Sequence, residues 1–85
     1  MIKIAYIKWV DAHGGDGQYG LSFAQGRQID EMESAGILIS DDDEQITIAQ
    51  DWFELKGRET QVRNYESIPK TNIKSFRIWE PEEAK

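Results

Sequence analysis

The chain has no cysteine, a single histidine and only two prolines in 85 residues. Without cysteine there is neither a disulfide framework nor a thiolate metal centre, so stability must come from burial or from association between subunits. A reducing, cytosolic setting is expected. Long hydrophobic runs are also missing. Lys3 and Lys8 interrupt the opening stretch "MIKIAYIKWVDA", which removes the continuous apolar segment that a signal peptide or membrane span requires. Basic residues are scarce as well, 10 against 16 acids, for a net charge of -6. That balance disfavours direct binding to nucleic acid, which needs a basic surface to neutralise phosphates and release counterions. The length allows one small domain and excludes a two-domain enzyme with a cleft between its halves.

What charge there is lies unevenly. From Asp11 to Glu54 there are eleven acids against Arg27 alone, whereas from Lys56 to Arg77 six bases face only Glu59 and Glu66. Such asymmetry supplies a local anion site on an acidic protein, or steers one copy's basic edge onto another's acidic edge.

The apolar pattern is that of strands. "IKIAYIKWV", residues 2–10, is rich in β-branched and aromatic residues, with Ile2, Ile4, Tyr6 and Val10 on one face and Ala5, Ile7 and Trp9 on the other. Residues 13–26 hold five glycines and no proline and read as a loop, with a short helical turn conceivable near "FAQGRQIDEMES". "SAGILIS" and "QITIAQ" bracket the acidic "DDDE" as an antiparallel hairpin, with Ile37, Ile39, Ile46 and Ile48 expected on its buried face. "DWFELKGRETQ" reads as a turn around Gly57, "VRNYESI" as a strand, and "IKSFRIWE" as a last strand reached through a 3₁₀ turn at "PKTN". Phe76 and Tyr6 are expected in the core. The fold class is therefore mainly β. We expect a small five-stranded SH3-like or Sm-like barrel with a long glycine-rich first loop, a single domain over residues 1–80, and a disordered tail over 81–85.

Known chemistries fit the glycine loop poorly. "GGDGQYG" lacks the lysine and hydroxyl of a phosphate loop, and although Gly15, Gly17 and Gly20 match the dinucleotide-fingerprint spacing, the chain has no room for the required crossover and sheet. No nucleophile stands in a recognisable constellation, so no catalytic residues are assigned and an enzyme is not expected. "SDDDEQ" lacks the alternating ligands and glycine of a calcium loop, so neither a metal site nor a cofactor is assigned, and its carboxylates are those of a solvated hairpin tip. What remains is binding. Trp9, Tyr19, Trp52, Phe53, Tyr65 and Trp79 are many large aromatics for so small a core, and Arg58, Arg63 and Lys70 add positive charge, the usual equipment for stacking a base and holding phosphates.

"KWVDAHG", "SAGILISDDDEQITIAQ" and "SIPKTNI" together resemble the landmarks of a group of short phage and prophage proteins. The matched positions are Trp9, Asp11, Ser34, Gly36, Asp42, Asp43, Thr47, Ala49, Ile68, Pro69, Lys70 and Ile73. Tyr19 stands where many such proteins carry a second tryptophan. The resemblance implies a cytoplasmic protein of the infected host that counters host defence without turnover. One form of this is a homo-oligomeric sponge that sequesters a cyclic or ADP-ribose-type nucleotide signal. On that implication Trp9 or Tyr19 stacks the base, Asp11 or His13 hydrogen-bonds base or ribose, and Arg58, Arg63 and Lys70 hold phosphates. The alternative is an acidic inhibitor that blocks a host defence protein by imitating nucleic acid with Asp41 to Glu44.

Overall fold

A computed structural model describes residues 2–11, 18–26 and 30–81. His13, most of the glycine-rich loop and the tail from residue 82 lie outside the described residues. Five strands form one open antiparallel sheet: β1 (Ile4–Asp11), β2 (Asp30–Asp41), β3 (Gln45–Phe53), β4 (Gln61–Pro69) and β5 (Ile73–Trp79), in the spatial order β4-β3-β2-β1-β5. A five-residue helix, α1 (Leu21–Gln25), precedes β2. A 3₁₀ turn over Lys70–Asn72 joins β4 to β5, where Pro69 stops the ladder by lacking a donor. Among the described residues β4 and β5 are the two edges.

The core lies on one face. Ala5, Ile7 and Trp9 of β1, Ile46 and Ile48 of β3 and Ile68 of β4 are buried together, with Leu38, Ile73 and Ile78 packed against them. Their side chains alternate because successive strand residues point to opposite faces. Polar groups within the sheet are matched: the Trp9 indole N–H donates to Ser34 Oγ at 3.0 Å, and the Thr47 and Ser67 hydroxyls share a hydrogen bond of 2.8 Å.

Four local expectations need correction. Tyr6 lies on the face of β1 opposite Ala5 and Ile7 and is half-buried outside the core. Leu38, not Ile37 or Ile39, faces the core opposite Ile48, because a bulge between Leu38 and Ser40 leaves Ile39 without a partner and shifts the alternation. The strand containing "GILI" begins at Asp30, where pairing with β1 holds a polar stretch extended. Phe76 pairs with Ile7 and so faces the core side, yet it is exposed because β5 is an edge; the Lys70 ammonium lies over its ring, 5.3 Å from the centroid.

Bonds between distant segments tie the 3₁₀ turn to the rest of the sheet. Asn72 Nδ2 donates to the Val10 carbonyl at 2.9 Å, tying the 3₁₀ turn to β1. The Lys70 backbone N–H donates to the Glu44 carbonyl at 2.7 Å, and Lys70 Nζ pairs with Asp41 at 2.7 Å, tying the same turn to the β2–β3 tip. The other half of the β3–β4 hairpin is unsupported. β2 pairs with β3 only from Ala49 back to Ile46, so residues 50–65 continue as a two-stranded ribbon with no third strand beside it among the described residues. The radius of gyration is accordingly 16.9 Å, against about 12 Å for a compact chain of this length.

Candidate functional site

The residues singled out in the sequence do not converge. Trp9 is a core residue, buried between Ile7 and Ile73 positions of the sheet with its one polar atom satisfied by Ser34, and it presents no face for stacking. Asp11 is exposed at the end of β1, directly opposite Asp30. His13 falls outside the described residues, and Tyr19 is about half exposed ahead of α1. Lys70 is engaged by Asp41 and Phe76 at the hairpin tip. Arg58 sits in the turn between β3 and β4, and Arg63 on β4 itself.

Several of the recurrent landmark positions have structural duties. Trp9 bonds Ser34, and Gly36 passes so close to β3 that an added Cβ would lie 2.8 Å from the Ala49 carbonyl oxygen. Asp42 accepts the backbone N–H groups of Glu44 (2.8 Å) and Gln45 (2.9 Å), which holds its carboxyl below the ordinary carboxylate range. Lys70 pins Asp41. These positions build the fold, and recognition has to be sought elsewhere.

The ribbon over residues 50–65 is one place where exposed aromatic and basic groups meet. Its cross-strand pairs Ala49 with Tyr65, Asp51 with Arg63 and Phe53 with Gln61 define the outer face. Tyr65 is 70% exposed, and the Arg63 guanidinium lies 5.3 Å from the Phe53 ring centroid while meeting Asp51 at 3.5 Å. That ion pair is solvent-exposed and so contributes little, leaving Arg63 available to an anion. Residues i and i+2 share a face, so Tyr65 and Arg63 stand about 7 Å apart along β4. The turn carries Lys56 and Arg58 beyond them, with Gly57 at φ 77° closing it.

The inner face continues the core stripe and then breaks it. Ile46, Ile48, Gln50 and Trp52 follow one another on β3, as Ile68, Glu66, Asn64 and Val62 do on β4. Trp52 and Val62 are exposed, and between them and the core lie the polar Gln50, Asn64 and Glu66. An open notch of about 430 Å³ sits at this level, where β2 leaves β3. These three residues carry no motif signature. Their signal is a polar interruption at the same height in two strands, visible only once the hairpin register is known.

Among the described residues no group of three or more His, Asp or Glu is placed to hold a metal ion, and no helix is long and apolar enough to cross a membrane. Comparison with protein-family models, curated proteins and solved structures gives no match.

Proposed function

We propose that the chain is a non-enzymatic phage anti-defence protein that assembles with copies of itself and sequesters a small anionic nucleotide, of cyclic or ADP-ribose type, in the host cytosol. The observation that carries this reading is the ribbon: on an acidic chain it sets Tyr65 in the open two residues from Arg63, with Lys56 and Arg58 in the turn next to them. An exposed ring supplies a stacking platform, and guanidinium groups supply charge-assisted bonds to phosphate. Tyr65 takes the stacking role that the sequence assigns to Trp9 or Tyr19, and Arg58 and Arg63 keep the phosphate role. A two-stranded ribbon with Trp52 and Val62 exposed is marginal alone in water, and contact with a second copy supplies the missing cover. The strand order and the ties through Asn72 and Lys70 suit an SH3-like or Sm-like curl of the sheet.

The alternative, an acidic inhibitor that imitates nucleic acid, has less support at its expected centre. Asp41 is spent on Lys70 and Asp42 on its own turn, which leaves Asp43 and Glu44 to present charge.

Native mass spectrometry of the protein drawn directly from cells producing nucleotide immune signals tests both halves of the reading. An oligomer carrying a nucleotide-sized added mass is expected. Thermal unfolding with cyclic dinucleotides and ADP-ribose should show stabilisation of about 2.7 kcal/mol at 100-fold excess over Kd. A bare monomer with no shift on any of these probes refutes it and leaves the acidic inhibitor as the working reading.

A further inference from the structure

The notch on the inner face of the ribbon has a definite hydrogen-bonding character. Asn64 Nδ2 donates to Gln50 Oε1 at 3.1 Å. That bond consumes one donor and one acceptor, so the pair still presents both N–H groups of Gln50 Nε2 and the Asn64 carbonyl oxygen. Glu66 lies on the same face two residues along β4, and its carboxylate makes no hydrogen bond or ion pair among the described residues. Ile48 provides an apolar floor, and Ser34 closes the side toward β2. Beyond Ile37 and Ala49 no strand among the described residues covers β3 on that side, and there the notch is open.

A second observation falls at the same place. Asn64 has φ 55° in the middle of a strand, the left-handed region, and it is the only non-glycine residue to do so among the described residues. No turn requires it. The register is intact on both sides, Tyr65 opposite Ala49 and Arg63 opposite Asp51, so no residue has been inserted. Left-handed backbone is unfavourable for an L-residue, less so for asparagine, and strain held at one point of an otherwise regular strand clusters at recognition sites.

We propose that this notch reads the edge of a guanine base. The inference rests on the nucleotide-binding reading above and names the second base of a cyclic dinucleotide whose first base stacks on Tyr65 across the β4 edge. Guanine presents a carbonyl oxygen beside a ring N–H and an exocyclic amino group. The Glu66 carboxylate accepts from the two nitrogens, Gln50 Nε2 donates to the carbonyl, and the ring rests over Ile48. Adenine reverses this pattern, setting an amino donor against the amide donors and an unprotonated ring nitrogen against the carboxylate. Unpaired or opposed polar groups of this kind dominate discrimination between otherwise similar ligands. β4 is an edge strand, so the sugar and phosphate of a base seated over Asn64 and Glu66 pass over that edge toward Arg63.

Calorimetric titration of the full chain with cyclic di-GMP and cyclic di-AMP, which share backbone and charge and differ only in the base, tests the assignment. The wild type should bind the guanine ligand about tenfold more tightly or better, the equivalent of one or two net hydrogen bonds. Glu66→Gln should bring the two affinities to within about twofold, weakening cyclic di-GMP and tightening cyclic di-AMP, since the amide no longer accepts from both guanine nitrogens and can donate to the adenine ring nitrogen that the carboxylate opposed. Glu66 is exposed, so the variant should keep its fold, which circular dichroism checks. Equal affinities in the wild type, a preference for cyclic di-AMP, or an undiminished guanine preference in Glu66→Gln each overturn the base assignment while the nucleotide reading stands. Binding of ADP-ribose alone does the same. If the wild type binds none of the three, the nucleotide reading falls and the base assignment with it.

Discussion

At the scale of single residues, the close approaches matter more than the charged groups. Gly36 is the clearest instance, with no space for a methyl group because the Ala49 backbone carbonyl stands where Cβ would go. A backbone atom cannot swing aside as a side chain can, so Gly36→Ala should cost about 1–3 kcal/mol as an overpacking substitution. Gly20 has open space around it and should tolerate alanine nearly unchanged. Urea unfolding of both variants checks the contrast. Ser34→Ala belongs to the same class of test, because it strands the indole N–H of a tryptophan that is only 8% exposed. A loss of about 1–2 kcal/mol is expected, against a few tenths for an alanine substitution at the exposed Ser75.

At the scale of elements, the hairpin between β2 and β3 carries the pH dependence. Asp42 is held below its ordinary value of 3.8 by two backbone N–H groups, and Glu31 below 4.5 by its hydrogen bond and ion pair with Lys74. Because both folded values are depressed, the stability these groups contribute is present above their unfolded values and is lost as the pH falls through the folded ones. The melting temperature should therefore be level near neutrality and decline as the pH drops below 4. Asp42→Asn should flatten that decline, as its amide oxygen still accepts from the turn but carries no proton that titrates. Melting curves from pH 7 to pH 3 decide this. Elements are also where sequence reading works best and where its failures can be explained. The five strands and the 3₁₀ turn after Pro69 are legible because alternation and a missing donor are local properties. The start of β2 at Asp30 is not, since "DEME" is extended only through pairing with β1. Nor is the choice of Leu38 over its isoleucine neighbours, because a single bulge exchanges the two faces of a strand and leaves no mark in composition. The candidate site suffers in the same way: Trp9 shares the alternation of Ala5 and Ile7 and could have been assigned to the core, but Gln50, Asn64 and Glu66 become neighbours only through the register of β3 against β4.

At the scale of the whole molecule, cohesion is unevenly distributed. The isoleucine core holds one part of the sheet, while the ribbon over residues 50–65 has hydrogen bonds across one ladder only and keeps Trp52, Val62 and Tyr65 in the open. Local opening is governed by buried apolar contact and by how many neighbours hold a strand. In the isolated chain, hydrogen exchange should accordingly be faster by orders of magnitude at Gln50–Phe53 and Gln61–Asn64 than at Ile46–Ala49 or in β1. Uniform protection across β3 would show that the ribbon is already covered by another copy. The strand order carries one more consequence, which concerns time. β1 lies between β2 and β5, and its pairing with β5 joins Ile4 to Trp79. Residues so far apart meet only after a large loop closes, which is the kind of contact that slows folding into the range of milliseconds to seconds. On a ribosome the first strand emerges early and waits with one side unpaired until the fifth strand appears, so the β1–β5 edge of the sheet is the part completed last.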